Sequence, residues 1–129
     1  ETAYSVNDTE RAAAELRNPL PMHRQVLERG HRMYTIYCQV CHGEYGEGNG
    51  SIVPLFAAPP TLQSDKIKGW MERGQDARIF HIITVGQNRM PNYKTQVSVE
   101  DRWAIANFIR VLHRAKNPSR TDLENLEKW

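Results

Sequence analysis

Apolar side chains recur at helical spacing along most of the chain, and few stretches alternate as strands do. The pattern predicts four helices, over about residues 24–41, 65–73, 77–85 and 99–115. Ser64, Asp76 and Ser98 stand where helix N-caps are expected, and Gly86 can end the third helix. Because the long segment between the first two helices is rich in Gly and Pro, it reads as an irregular loop.

Two shorter helices are predicted at the ends of the chain. Asn7 and Glu10 have the spacing of a capping box that opens a helix over residues 8–17, and Thr121 and Glu124 have it for a last helix. The sequence therefore predicts an all-α fold in three parts: an N-terminal helical extension, a central domain and a C-terminal helical extension. Their boundaries are residues 1–23, 24–115 and 116–129.

The composition indicates a thin apolar core. The chain has 129 residues, enough for one domain, and Leu, Ile, Val and Phe make up about 21% of them, close to the floor for folded chains. A bound group that completes the core would account for this shortfall. The net charge of +2 argues against a nucleic-acid-binding protein. No apolar run approaches the roughly 20 residues of a membrane-spanning helix, the longest being four residues, 103–106.

The chain's only two cysteines belong to one short motif, Cys38-Gln39-Val40-Cys41-His42. This is the C-x-x-C-H spacing of covalent haem c attachment. Residues at i, i+3 and i+4 share one helical face, so both thiols and the imidazole point the same way. The motif predicts two thioether bonds to one haem c, with His42 as an axial ligand of its iron.

Two other interpretations of the motif stay open at this point. A thiol redox site of the thioredoxin type would require a βαβ context, which the helical pattern does not provide. A zinc site would require a fourth ligand, and His31 and His81 are the available candidates.

Met90 is the candidate for the second axial ligand. It follows the expected helix end at Gly86, and Pro91 after it disfavours helical backbone at Met90, so the side chain lies in a loop. A loop methionine can turn its soft thioether toward iron. The alternatives are a methionine that fills a gap in the core and His81 as the ligand.

Three further features resemble class I cytochromes c. Gly30 and Tyr34 precede Cys38 by eight and four residues, as in the helix that leads into the haem motif of that family. The segment 86–91, Gly-Gln-Asn-Arg-Met-Pro, is similar to its distal ligand segment, and Pro60-Thr61-Leu62 is similar to its Pro-x-Leu.

The resemblance implies a class I cytochrome c fold, in which N- and C-terminal helices cross around one covalently bound haem. Gly30 would lie at the crossing, with Ile105 and Phe108 at the contact positions of the second helix. A helix-interior glycine costs about 1 kcal/mol relative to alanine, which independently suggests that another backbone passes close to Gly30.

The same resemblance assigns roles to two residues near the haem. The carbonyl of Pro60 would accept the free ring N–H of His42, since a ligating histidine usually donates its second nitrogen to such an acceptor. Leu62 would pack on the haem.

Three segments narrow the resemblance: residues 76–83, 90–93 and 100–105 are similar to the monohaem cytochrome c subunit of alternative complex III, a bacterial quinol-oxidising respiratory complex. The similarity covers residues 18–115. It implies a periplasmic location outside the cytoplasmic membrane, with membrane association through an N-terminal anchor removed before Glu1.

His/Met ligation occupies both axial positions of the iron, which favours electron transfer over catalysis. We therefore expect a non-enzymatic electron carrier, a monomer or complex subunit, between a quinol-oxidising complex and a terminal haem-copper oxidase or other redox proteins. The alternative is a haem enzyme subunit or a gas or redox sensor with a displaceable sixth ligand.

Positive charge is concentrated around the expected methionine loop. Residues 66–94 carry a net charge of +4, from Lys66, Lys68, Arg73, Arg78, Arg89 and Lys94 against two acidic residues. Charge of this kind steers an acidic partner during diffusional encounter. The segment is therefore a candidate docking surface; the alternative is an ordinary solvated surface.

Overall fold

The computed structural model describes residues 4–116 and residue 120. A 3₁₀ turn at Val6–Asp8 precedes six α-helices. These are α1 Thr9–Glu15, α2 Arg24–Tyr37, α3 Gln39–His42, α4 Asp65–Glu72, α5 Ala77–Val85 and α6 Val99–Lys116. No strand occurs among the described residues, and the all-α prediction is confirmed. The predicted helix after Thr121 lies outside the described residues.

Two of the predicted N-caps are present. The hydroxyl of Ser64 accepts the N–H of Ile67 at 3.3 Å, and the hydroxyl of Ser98 accepts the N–H of Asp101 at 3.1 Å. Asp76 is different: its side chain caps nothing in α5 and instead accepts a 3.1 Å hydrogen bond from Nδ2 of Asn18. Asp76 directly precedes α5, as predicted, but its carboxylate binds Asn18 and does not cap the helix.

The predicted capping box at the N-terminus is two residues too late. Asp8 accepts the backbone N–H of Ser5 at 2.8 Å and its hydroxyl at 3.0 Å, so Ser5 and Asp8 form the box. Glu10 cannot serve Asn7 in this role because its carboxylate accepts a hydrogen bond from Arg78 on α5.

The predicted continuous helix over residues 24–41 is wrong in one detail: α2 ends at Tyr37, and α3 begins after Cys38. Cys38 has φ −110° and ψ −36°, and the N–H of Cys41 bonds its carbonyl at 3.2 Å in the tighter i to i+3 pattern. The N–H of His42 bonds the same carbonyl at 2.9 Å. The haem motif is therefore still one helical turn, separated from α2 by Cys38.

Helices α2 and α6 cross at Gly30. A Cβ atom at Gly30 would overlap the carbonyl of Ala104 and would lie 3.0 Å from Cβ of Phe108, so only glycine permits this approach. The crossing predicted from Gly30 is confirmed, with Ala104 rather than Ile105 against it. A bidentate ion pair stabilises the crossing: Arg29 donates to both carboxylate oxygens of Asp101 at 2.9 and 3.0 Å.

The main hydrophobic core joins α2, α4, α5 and α6, and it includes Cys38. A second, smaller cluster forms where the N-terminal segment covers α5 and α6. There Phe80 stacks on Trp103 with ring centroids 3.9 Å apart, and Leu16 and Leu20 pack against them. Within residues 4–116, none of the helices combines the length and apolarity required to cross a membrane.

Candidate haem-attachment site

The two cysteines differ in their surroundings. Cys38 is 8% exposed and belongs to the main core, while Cys41 is half-buried; neither forms a disulfide. Burial raises the pKa of Cys38 to about 12, so its thiol is protonated at neutral pH. The two sulfur atoms are on one helical turn and are not bonded to each other, an arrangement that fits thioether attachment to one haem.

His42 is held in its neutral form by the protein. Its ring is half-buried, and desolvation lowers its pKa below the ordinary value. Its Nδ1 is buried and has no hydrogen-bond partner among the described residues. A neutral imidazole is the form that binds a metal ion. The chemistry of His42 is thus suited to axial ligation.

A glycine-rich loop folds back on the motif and satisfies its last carbonyls. Gly43, with φ +84°, ends α3, and the N–H groups of Gly48 and Gly50 donate to the carbonyls of His42 and Cys41 at 2.8 and 3.0 Å. A Cβ at Gly50 would overlap the carbonyl of Val40. These glycines let the chain pass close enough to fix the orientation of the motif.

The segment with Pro60 and Leu62 lies against this loop. The N–H of Leu62 donates to the carbonyl of Gly46 at 2.6 Å, and its side chain packs on the main core. Pro60 is exposed, and its neighbour Pro59 contacts Gly48. Both residues are therefore beside the loop that follows His42. Nδ1 of His42 forms no hydrogen bond to the Pro60 carbonyl in this structure, so this bond stays a prediction for the protein with haem bound.

Met90 lies in the loop between α5 and α6, residues 86–98, which we call the methionine loop. Its side chain is half-buried against the main core. The loop is tight there, since Gln87 and Met90 exchange backbone hydrogen bonds of 3.0 and 2.8 Å. Gly86, with φ +79°, makes this closure possible, because a Cβ at Gly86 would lie only 2.7 Å from the carbonyl of Met90. The loop placement predicted for Met90 is the one the structure has.

Tyr93 brings the methionine loop to the cysteine side of the molecule. Its hydroxyl donates to the carbonyl of Tyr37 at 3.4 Å, and the two rings are 5.8 Å apart. Its pKa is raised by burial and further by the nearby thiol groups of Cys38 and Cys41. Tyr93 follows Met90 by three residues in the sequence, but nothing in the pattern indicated that it reaches α2.

The donor set fits a haem c. Two cysteine sulfur atoms and a neutral imidazole are on one turn. Tyr93 connects the loop that contains Met90 to the residue before this turn, through its hydrogen bond to Tyr37. The zinc interpretation lacks this support, since no three His, Cys, Asp or Glu side chains among the described residues converge well enough to hold a metal ion. His81 is 2% exposed and packs edge-on against the ring of Tyr4 in the N-terminal segment, with centroids 6.3 Å apart.

The basic segment 66–94 is less uniform than its sequence suggests. Arg78 is 9% exposed, and its guanidinium donates to Glu10 at 2.6 Å while lying over the ring of Trp70. Its inclusion in a docking surface was therefore wrong. The remaining five cations are exposed: Lys66, Lys68, Arg73, Arg89 and Lys94.

Comparison with known proteins identifies the family of the chain. Residues 25–109 match the family model described as cytochrome c oxidase, cbb3-type, subunit III. The chain is 31% identical over 85 residues to cytochrome c6 of Bumilleriopsis filiformis, an alignment that covers 64% of this chain and 87% of that protein.

Two solved structures share the fold. Cytochrome c6 from the diatom Phaeodactylum tricornutum has a TM-score of 0.53 and 20% identity, over 69% of this chain and 95% of that one. A chain of the reducing HAO-like protein complex of Kuenenia stuttgartiensis has a TM-score of 0.61 and 24% identity, over 73% of this chain but only 46% of that one. The chain thus belongs to the cytochrome c family, whose members bind one covalent haem c.

Proposed function

We propose that this protein is a one-electron carrier whose single haem c is held by Cys38, Cys41, His42 and Met90. The observation that carries the proposal is the contact between the methionine loop and the end of α2: Tyr93 donates to the Tyr37 carbonyl, one residue before Cys38. This contact supports a common site for the thiols, the imidazole and the thioether.

When bound, a haem with His and Met axial ligands supplies a ferric/ferrous couple of raised potential and no open position for a substrate. The residues of the chain have supporting roles. His42 is kept neutral by burial, the glycine loop satisfies the carbonyls of the motif, and Gly86 closes the turn that presents Met90. Pro60 would orient His42 and Leu62 would cover one side of the haem.

We further propose a place in a respiratory chain, between a quinol-oxidising complex and a terminal haem-copper oxidase, on the periplasmic side of the cytoplasmic membrane. The resemblance of residues 76–83, 90–93 and 100–105 to the alternative complex III cytochrome supports it. We assign residues 24–115 as the electron-transfer domain, with residues 1–23 and 116–129 as helical extensions. The exposed cations in residues 66–94 are the proposed docking surface for an acidic partner.

Mass spectrometry and ligand binding test the proposal together. Protein matured in a cytochrome c-producing host should have the intact mass of the polypeptide plus one haem, with no thiol available for alkylation. The ferrous protein should not bind carbon monoxide rapidly at neutral pH. A bare polypeptide mass with two free thiols contradicts haem attachment, and rapid carbon monoxide binding favours a sensor or haem enzyme.

A further inference from the structure

Arg102 is a charged residue in the interior of the domain. It lies in the first turn of α6 and is 3% exposed. Its Nε donates to the carbonyl of Val97 at 3.0 Å, Nη1 donates to the hydroxyl of Thr84 at 3.0 Å, and Nη2 donates to the carbonyl of Lys94 at 3.4 Å. The guanidinium also lies 5.4 Å from the centroid of the Phe80 ring.

The three acceptors lie on both sides of Met90 in the chain. Thr84 is in the last turn of α5, before the loop, while Lys94 and Val97 follow Met90 and lead into α6. Arg102 therefore joins the two ends of the methionine loop through one rigid group.

Backbone hydrogen bonds also hold the base of the loop. The N–H of Tyr93 donates to the carbonyl of Ile83 at 2.9 Å, and the N–H of Val97 donates to the carbonyl of Tyr93 at 3.0 Å. Since Val97 is 2% exposed, water cannot readily replace Arg102 as the donor to its carbonyl. Loss of the guanidinium would thus leave the buried Val97 carbonyl without its side-chain donor and favour an open loop.

Only arginine meets this geometry. A guanidinium is planar and carries five N–H groups in fixed directions, so it can serve three separated acceptors at once. A lysine ammonium keeps the charge but is a single point on a flexible chain, and it cannot reach both ends of the loop in the same way.

We propose that Arg102 is a positioning residue for Met90: it clamps the base of the methionine loop and so holds the thioether in reach of the haem iron. The inference rests on the proposed function, because it takes Met90 as the axial ligand. It adds a residue outside the proposed ligand set that controls how often the ligand leaves.

The experiment uses the holoprotein and two variants. Arg102→Gln removes the charge and the planar set of guanidinium N–H donors, and Arg102→Lys keeps the charge but not that set of donors. Asn107→Ala is the matched control, since Asn107 is also a buried polar residue of α6 but bonds Asn18 in the N-terminal segment. Two quantities are measured: amide hydrogen exchange of residues 86–98, and the red-edge absorption band of ferric protein that reports the methionine–iron bond.

In Arg102→Gln we expect loop exchange to accelerate at least about tenfold, and the equilibrium constant for loss of the methionine–iron band to rise by a similar factor. Arg102→Lys should recover only part of either change. Asn107→Ala should leave both at the level of the unmodified protein, even if its global stability falls. Unfolding by denaturant is followed in parallel to separate local from global opening.

Two results overturn different parts of the inference. Unchanged loop exchange in Arg102→Gln refutes the clamp, whatever the iron ligand. Faster exchange with an unaltered band refutes the link from clamp to ligand. If the unmodified protein lacks the band, or Met90→Leu retains it, the Met90 assignment in the proposed function fails, and the link to it fails with it, while the exchange data still decide the clamp.

Discussion

The phenol of Tyr34 donates a 2.6 Å hydrogen bond to the carbonyl of Gly43, the residue that follows His42. Tyr34 is completely buried, and burial together with the nearby Cys38 thiol raises its pKa above the ordinary tyrosine value, so it stays a donor at neutral pH. This bond connects the packed face of α2 directly to the end of the haem motif.

Replacement of Tyr34 by Phe should destabilise the holoprotein by about 0.5–1.5 kcal/mol, because the buried Gly43 carbonyl loses the phenol and keeps only the 3.3 Å hydrogen bond from the Gly46 N–H. Denaturant unfolding measures the difference. Tyr45→Phe is the control, as Tyr45 is 52% exposed. Equal stabilities for Tyr34→Phe and the unmodified protein would show that the bond contributes nothing.

The crossing of α2 and α6 predicts opposite effects for two helical glycines. Gly30→Ala should destabilise the protein by about 1–3 kcal/mol or more, because the new methyl overlaps the Ala104 carbonyl and the helices must separate. Gly69→Ala in α4 meets only the mobile end of Arg73 and should be neutral or stabilising by up to about 1 kcal/mol. Thermal unfolding of both variants checks the contrast; similar losses would argue against a tight crossing.

The ion pair of Arg29 and Asp101 predicts a pH-dependent contribution to stability. Arg29 lowers the pKa of Asp101, so the pair stabilises the fold fully above the ordinary aspartate pKa of about 4 and less as the pH falls through the lowered value. Arg29→Gln should therefore be less stable at neutral pH, by under about 1 kcal/mol since Arg29 is half exposed.

The difference in stability between Arg29→Gln and the unmodified protein should narrow as the pH falls below the ordinary aspartate pKa of about 4 and through the lowered pKa of Asp101, since Asp101 then takes up a proton in both. Denaturant unfolding across this range measures it. Arg24→Gln removes an exposed pair with Glu28 inside α2 and should change stability little at either pH. A difference for Arg29→Gln that stays constant with pH would exclude the Asp101 mechanism.

Met90→Leu should retain the covalently attached haem, lose the methionine–iron band and lower the reduction potential by on the order of 100 mV, within the range that axial ligands control. Spectroelectrochemistry measures both quantities. Met71→Leu is the matched control, because Met71 is a buried core methionine on α4. An unchanged reduction potential in Met90→Leu would contradict the assignment of Met90 as an iron ligand.

The exposed cations of the methionine loop predict salt-dependent electron transfer. Oxidation by ferricyanide, an anionic reagent, should be severalfold slower in the double variant Arg89→Gln, Lys94→Gln at low salt, and the difference should fade near about 1 M salt. Lys116→Gln, which pairs with Glu47 outside this segment, should have a smaller effect. Rates that do not depend on ionic strength would contradict the docking surface.

Local signals in the sequence predicted much of this protein. The motif at residues 38–42, the loop placement of Met90, the caps at Ser64 and Ser98 and the close approach at Gly30 all follow from short-range chemistry, in which spacing, turn residues or a missing side chain determine the outcome. Apart from the break between α2 and α3 at Cys38, the main expectations that failed concern charged side chains. Asp76 and Arg78 read as a cap and a docking residue, and both are occupied by the N-terminal segment.

The sequence by itself determined the helices and the cofactor chemistry, since a haem motif and helical periodicity are properties of neighbouring residues. Only the tertiary structure decided which charged and aromatic groups become buried and what they bind. No local pattern in the sequence assigned a role to Arg102 or to Tyr93 individually. Their partners, at Thr84, Val97 and Tyr37, are brought to them by the packing of α5, α2 and the methionine loop, and hydrogen bonds over such chain separations leave no periodic trace in the sequence.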